Sequence, residues 1–360
     1  MVVALTPAQQ EVLLGTHRMT TTATVIRGSE NLGLIPVISG YVSATLGTRG
    51  GRDAYFTTPR SVIDRGLLNP LTDRVILGTG VRDYLDITLF TGRVDTHDID
   101  ETGLAQIQLL SVAAEAIRDD FEVPWTATST TAGGEIARIL TDVDPTWGVD
   151  LTRATSVPLT GQQVWESDRG QALDQVASGA NLIWQPDRYG SFVVFDNPFL
   201  AGAGLSATSV ITFTDGQDGV LVRVDETKTR QGVFNSITVV MERTDNTEPI
   251  RVTVRDDNPL SVTAYGGPFG RQNRVIKNPT SQDPTMLAGR LLRQSLALRR
   301  SWTIRLPHVP ILDPGDVFTL WYRDEVTAQV VETVQYGLGA NDGSIITSRE
   351  LIAVELEELL

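Results

Sequence analysis

Residues 169 to 195 read RGQALDQVASGANLIWQPDRYGSFVVF, and this stretch decides the fold class. Leu173, Val176 and Ala177 share one face of a short helix over about Arg169 to Ser178. Ser167 or Asp168 stands at the cap position, and Gly179 ends the helix. Asn181-Leu182-Ile183-Trp184 follows at once, then the turn Gln185-Pro186-Asp187-Arg188-Tyr189-Gly190, then Ser191-Phe192-Val193-Val194-Phe195. A helix followed directly by a hairpin is a compact α+β unit, and the sequence on both sides of it is patterned for strands.

Upstream, Ile136, Ile139, Leu140 and Val143 recur at i, i+3, i+4, i+7, which predicts a second helix stopped by Asp144-Pro145. Before it come strand patterns at Thr20 to Arg27, Tyr41 to Leu46, Ala54 to Thr57, Tyr84 to Val94 and Ala105 to Leu110. The polar segment Asp95 to Gly103 joins the last two as a hairpin, hence an antiparallel sheet. Downstream, strands are expected at Val220 to Val224 and Ser236 to Met241, with turns at Asp215-Gly216 and Asp218-Gly219. A longer helix has Asp283 as cap, Pro284 in its first turn, Leu287, Leu291 and Leu298 on one face, and Arg299 and Arg300 in its last turn. Strands near Trp302 to Leu306, Val317 to Tyr322, Thr327 to Val334 and Ser344 to Thr347 close the chain, the last pair joined by Asn341-Asp342-Gly343. No repeat of fixed period and no low-complexity tract is visible.

At 360 residues the chain is long enough for two or three domains at about 150 residues each. Hydrophobic residues at 41% and charged residues at 21% fit a folded globular protein. With no cysteine, disulfides, thiolate metal sites and cysteine nucleophiles are excluded. The net charge of −14 opposes non-specific attraction to nucleic acid or anionic lipid. Met1 to Pro7 lacks a basic region and an apolar core, so a soluble, uncleaved chain with no membrane insertion is expected. Lys228 and Lys277 are the only lysines, leaving arginine as nearly the whole cation supply.

Searching for chemistry yields exclusions. His17, His97 and His308 lie in separate segments with no metal-ligand spacing. Asp95, His97, Asp98, Asp100 and Glu101 form the densest polar group; they read as a solvated hairpin loop or, folded inward, as oxygens around calcium, and the EF-hand spacing is not met. The glycine clusters at Gly47 to Gly51 and Gly266 to Gly270 lack the lysine and hydroxyl of a phosphate loop and read as turns. There is no Gly-x-Ser-x-Gly elbow. Arg290 and Arg293 are expected on a solvated helix face or beside acids, and the six tryptophans, Trp125, Trp147, Trp165, Trp184, Trp302 and Trp321, as core or interface anchors rather than a sugar platform. No catalytic residue, cofactor site or metal site is assigned, and the expectation is a non-enzyme.

Several segments, in order, resemble the distal tail hub proteins of tailed bacteriophages and related injection machines. They are the strand pair Gly40 to Thr45 and Arg52 to Thr57; Asp86 to Asp95, which looks like the strand entering the family's outward hairpin; Ile107 to Val112 with the small apolar segment Ala113 to Ile117 before Phe121-Glu122-Val123-Pro124; the helix and hairpin from Leu173 to Phe195; and Pro310-Ile311-Leu312-Asp313-Pro314-Gly315-Asp316-Val317, similar to a recurring proline-glycine-aspartate lead-in to a closing strand. The resemblance implies a predominantly β, α+β fold: a first tube-like antiparallel β domain with an outward hairpin over 1–125, an inserted helix-plus-hairpin α+β domain over 126–205, and a second tube-like β region with one long helix over 206–360. It implies a structural virion protein, a minor tail or baseplate hub protein at the distal end of the tail, synthesised in the host cytoplasm. Three copies would close the tail tube, adapt it to the distal tail ring and gate the passage of DNA during ejection, with a tape measure protein and tail fibre or receptor-binding proteins as further partners. Carboxylates facing the bore would keep DNA from sticking. Some relatives carry a long C-terminal receptor-binding or wall-cleaving extension; here the sequence runs to Leu360 soon after the last expected strand, so host recognition and wall lysis are expected of a neighbour. Two other readings stand beside this one: a cell-wall glycan or peptide hydrolase of a tail tip, and a monomeric carbohydrate-binding β protein.

Overall fold

The computed structural model describes residues 6, 9, 19–69, 72–81, 85–159, 163–199, 209–216, 219–229, 233–242, 248–256, 271–277, 284–297, 300–339, 342–351 and 357–359. The chain is predominantly β with a few helices, an α+β fold. Seven strands come first: β1 (Met19–Arg27), β2 (Glu30–Ile35), β3 (Ser39–Thr45), β4 (Arg52–Pro59), β5 (Asp73–Val81), β6 (Leu85–Ile99) and β7 (Leu104–Ser111). The single turn α1 (Ser61–Asp64) separates β4 from β5, and α2 (Val112–Arg118) leaves β7 directly. The middle of the chain holds β8 (Trp125–Thr126), α3 (Ala132–Val143), β9 (Val149–Arg153), β10 (Val164–Trp165), α4 (Arg169–Gly179), β11 (Leu182–Pro186) and β12 (Phe192–Asp196). Then follow β13 (Thr212–Thr214), β14 (Arg223–Lys228), β15 (Ser236–Glu242), β16 (Ile250–Arg255), β17 (Arg271–Lys277), α5 (Pro284–Ala297), β18 (Arg300–Leu306), β19 (Val317–Tyr322), β20 (Glu325–Gly337), β21 (Ser344–Glu350) and β22 (Glu357–Leu359).

Strands from both ends of the chain join one sheet, in the order β14-β18-β21-β20-β3-β4-β7-β6-β5-β1-β2, with β19 and β13 branching from β20. The joint is β20 beside β3, antiparallel, with Val334 opposite Ala44. Side chains alternate across it as the pleat requires: in β7, Ala105, Ile107 and Leu109 are buried while Gln106 and Gln108 are exposed. The buried face forms the main core, which runs from Val25 and Phe56 through Ile107 to Trp302, Phe318 and Tyr336. At its far end the sheet turns back over this core, for Thr21 of β1 donates from Oγ1 to the carbonyl of Leu338 at 2.9 Å. Three pairings run parallel, β9 with β12, β13 with β19 and β15 with β17, so the sheets are not purely antiparallel.

The middle unit has its own core, in which α3 and α4 cover β11 and β12 with Ile136, Leu140, Leu173, Trp184 and Phe192 buried together. Both helices start on side-chain caps, the second on the expected Asp168. Thr131 Oγ1 accepts from the backbone N–H of Gly134 at 3.2 Å, and Asp168 Oδ1 from that of Gln171 at 2.7 Å. α5 covers the four-stranded sheet β17-β15-β16-β22, burying Leu287, Leu292 and Leu296 against Ile237, Val239 and Val254.

Several expectations are corrected. Ala113 to Ile117 is not merely an apolar segment: it lies within α2, where Ala113 and Ala116 face the middle core. Arg300 does not end the long helix; it opens β18, ion-paired with Glu226, Glu325 and Glu350, because a cross-strand carboxylate cluster outweighs the helix dipole there. Arg290 is buried rather than solvated, and burial pushes its guanidinium down to about 10. The strand expected at Val220 to Val224 is shifted to β14, and most of the polar segment after Val94 is strand, the turn being confined to 100–103. Trp147, Trp165, Trp184 and Trp302 are buried, whereas Trp321 is 51% exposed. His17, Asp283, Leu298 and Arg299 lie outside the described residues, as do Asp218, Gly266 to Gly270 and Asn341.

Within the middle unit one carboxylate organises the approach to α3. Glu135 is fully buried; Oε1 accepts from Trp125 Nε1 at 2.8 Å, Oε2 from the backbone N–H of Ser129 at 2.9 Å, and Arg138 pairs with both oxygens. Burial alone would raise its pKa, but the bonds from Arg138, Ser129 and Trp125 hold it below the usual range. Glu135→Ala leaves these donors unpaired, and a loss of about 3 kcal/mol is expected in urea unfolding monitored by tryptophan fluorescence.

Candidate functional site

Two features of the large sheet bear on function: its free face, and the joint that holds the middle unit against it. The free face spans eight strands, β14-β18-β21-β20-β3-β4-β7-β6, on the side away from the main core. Register places Thr303, Thr347, Thr333 and Thr45 side by side across four of them, with Thr45 and Thr333 hydroxyls 3.3 Å apart. Next to this row Gln335 lies opposite Ser43, and Tyr41 stacks on Tyr55 with ring centroids 5.9 Å apart. Threonine, serine, glutamine and tyrosine suit a strand with one wet side. Charges on this face occur in both signs, Arg305 and Arg349 against Asp53 and Asp98, and Arg349 is ion-paired with Glu332. Among the described residues this face thus carries carboxylates (Asp53, Asp98, Asp225) and guanidiniums together, set among hydroxyls and amides.

The joint is built around one buried carboxylate. Asp313 Oδ1 accepts from Arg52 Nη2 at 2.5 Å and lies 2.8 Å from Arg188 Nη2; Oδ2 accepts from Arg188 Nε at 3.2 Å. Arg52 belongs to β4, Arg188 to the β11–β12 turn of the middle unit, and Asp313 to the segment leading into β19. All three side chains are buried, and Arg188 has no exposed surface. Further donors are used as well: Arg52 Nη1 donates to the carbonyl of Leu89 at 2.8 Å and Arg188 Nη1 to that of Pro310 at 2.9 Å, whereas the buried Arg52 Nε has no hydrogen-bond partner among the described residues. Tyr336 donates its hydroxyl proton to the carbonyl of Leu312 at 2.5 Å, closing the cluster from β20. The middle unit is thus fastened to both halves of the large sheet through one carboxylate.

Local sequence explains the geometry. In the hairpin turn Asp187 Oδ1 accepts from the backbone N–H groups of Tyr189 and Ser191, each at 2.8 Å, which aims Arg188 inward. In the other partner, Asp316 Oδ2 accepts from the backbone N–H of Asp313 at 2.8 Å, and Gly315 sits at φ +87°, a conformation open to glycine. A Cβ there would meet the Phe195 ring at 2.6 Å. Burial pushes the Asp313 carboxyl up, but the Arg188 and Arg52 charges more than offset this and hold it far below the usual range. Asp316 is the reverse: burial, then the neighbouring Asp313 charge, push it up to about 6, with Arg153 at 3.6 Å only partly compensating.

Among the described residues no three histidine, aspartate or glutamate side chains are gathered as metal ligands. Asp95 to Ile99 runs as strand, so alternate side chains point to opposite faces and cannot surround one ion. Asp100 instead closes the turn, its Oδ1 accepting from the Thr102 hydroxyl at 2.6 Å and the Leu104 backbone at 3.0 Å. His97 lies in β6, and His308 lies between β18 and β19, where its ring packs edge-on against Tyr336 with centroids 6.0 Å apart. The sequence pointed to neither Arg52 nor Arg188 as special, and it read Asp313 only as part of a strand lead-in. The available signal was an acid pair framing Pro-Gly between apolar runs.

Neither family models nor curated proteins return a match to this sequence. Solved structures do. A tail protein from Neisseria meningitidis matches 92% of this chain and 97% of its own at a TM-score of 0.68, with 13% identity. The chain has the fold of phage tail proteins. A 43 kDa tail protein of prophage MuSo2 from Shewanella oneidensis matches 93% of this chain and all of its own, at a TM-score of 0.62 and 11% identity. An E. coli type VI secretion component, described as similar to the T4 tail proteins gp27 and gp5, matches 91% of this chain at a TM-score of 0.52 and 10% identity. The tail-protein fold therefore extends over nearly the whole chain, with the Asp313 joint inside it.

Asp313→Asn leaves two buried guanidiniums without a carboxylate and is expected to cost about 3–5 kcal/mol in urea unfolding. The pH dependence follows from the two shifts. Asp316 binds a proton more tightly folded than unfolded, so its protonation stabilises the fold fully below about pH 4, and that gain fades as pH rises through about 6. Asp313 binds its proton less tightly when folded, so its contribution is present above about pH 4 and is lost as pH falls further. Melting temperature should thus peak near about pH 4 and fall from there to about pH 6, and Asp316→Asn should flatten that fall while leaving the acid limb.

Proposed function

We propose that the chain is a non-catalytic hub protein of a tail tip, three copies of which close the distal end of the tail tube and frame the passage of DNA. One observation carries this reading. The β region at 1–125 supplies β3, β4, β7 and β6 to the eight-strand free face, and the region at 206–360 supplies β14, β18, β21 and β20. Each half of the chain thus offers four strands of wall, so three copies present six similar segments to a sixfold tube, with the α+β unit of 126–205 fastened outside by Asp313. At about 4.8 Å per strand, twenty-four strands enclose a ring roughly 37 Å across between backbones, open enough for a duplex to pass. A wall of hydroxyls and amides on a chain of net charge −14 offers phosphates few cationic anchors. The distal tail ring, the tape measure protein and the fibre or receptor-binding proteins are the partners of such a hub, and the distal virion tail is its place.

Native mass spectrometry, followed by cryo-electron microscopy of assembled tails, tests the reading. The expected result is a trimer forming a threefold ring at the tail end, with no digestion of purified cell wall. A monomer in solution that is also missing from finished tails, or wall digestion lost on a carboxylate-to-alanine change, would overturn it.

A further inference from the structure

β6 changes partners along its length. Residues 85–93 pair with β5, whereas 92–99 pair with β7. From Val94 to Ile99 the side of β6 away from β7 therefore has no strand beside it among the described residues. At the other end of the eight-strand stretch β14 pairs, among the described residues, with β18 alone. Among the described residues the stretch thus has two open edges, and open edges invite another strand. Every pairing between them is antiparallel, so β14 and β6 point in opposite directions. Rotation about an axis along the sheet brings β14 of one copy beside β6 of the next as an antiparallel pair, and such head-to-tail contacts close into rings.

The side chains select a register. On the free face Asp98 is exposed and has no described partner, while Arg223, 64% exposed at its side chain, is held only by Asp225 of its own strand. Setting Asp98 opposite Arg223 puts Ile99, 40% exposed, opposite Val222, 71% exposed, on the other face. Opposite charges meet on one side of the new pair and two stranded aliphatic groups on the other. Within one copy the cross-strand row that starts at Arg223 ends at Arg93, which β5 already occupies. Closing at Asp98 instead shifts each copy along its neighbour, the stagger that a closed barrel of tilted strands needs. We infer that β14 of one copy pairs antiparallel with the 94–99 segment of β6 in the next, in the register Asp98 to Arg223 and Ile99 to Val222; this rests on the threefold reading above and names the strands that make it.

The absence of cysteine supplies a clean reporter. In an Ile99→Cys, Val222→Cys double variant, mild oxidation should give covalent dimers and trimers on a non-reducing gel, and each single variant should not. Asp98→Arg and Arg223→Asp should each weaken trimer formation at least tenfold by native mass spectrometry, and the two together should restore it, with circular dichroism melting confirming that all variants fold. A trimer that forms in every variant, neither cross-linked nor sensitive to these charges, overturns the register while leaving threefold assembly standing. A wild-type chain that is monomeric both alone and on assembled tails overturns both.

Discussion

A single carboxylate shared by two buried guanidiniums holds this architecture together. Asp313 has no solvent to fall back on, and neither do Arg52 and Arg188, so each is tolerable only while the others are in place. That mutual dependence is directional: hydrogen bonds to the carbonyls of Leu89 and Pro310 leave the guanidiniums a single orientation. An apolar contact of the same size would stabilise the joint without fixing the angle of the middle unit. The three charged groups come from three separate stretches of chain, which makes the joint a checkpoint on the whole topology.

With the joint set, the large sheet is free to serve two surfaces. One faces the core, where Val, Ile, Leu and Phe alternate inward. The other keeps rows of threonine, glutamine and tyrosine facing away from it. The same pleat that buries Ile107 and Leu109 exposes Gln106 and Gln108, so the wall and the core are two aspects of one pattern. The middle unit and the α5 sheet carry their own cores, and their strands belong to separate sheets.

Much of this was legible in the residues. The helices over 132–143 and 169–179, the cap of the second and the hairpin after it follow from local periodicity and turn chemistry, which act over a few residues. The strands near Tyr41, Ala54, Ala105, Trp302 and Val317 follow likewise. Where the deciding partners are remote in sequence, local pattern is a poor guide. Arg300 looks like a helix-end cation until Glu226, Glu325 and Glu350 arrive from other strands, and Arg290 looks solvated but is buried in the fold. The polar run after Val94 looks like a loop until β7 pairs with it.

Composition and pattern determined the class of the protein: β-rich, with an α+β insertion, without thiol chemistry or a phosphate loop, ordered like tail hub proteins. Tertiary structure alone decided that strands from both ends of the chain share one sheet through β20 and β3, that Asp313 meets Arg52 and Arg188 across more than a hundred residues, and that part of the β6 edge has no strand beside it among the described residues. The reason is range. Helix periodicity, caps and turns are satisfied by residues a few positions apart, whereas strand pairing and buried charge are satisfied by whichever segment the fold brings alongside.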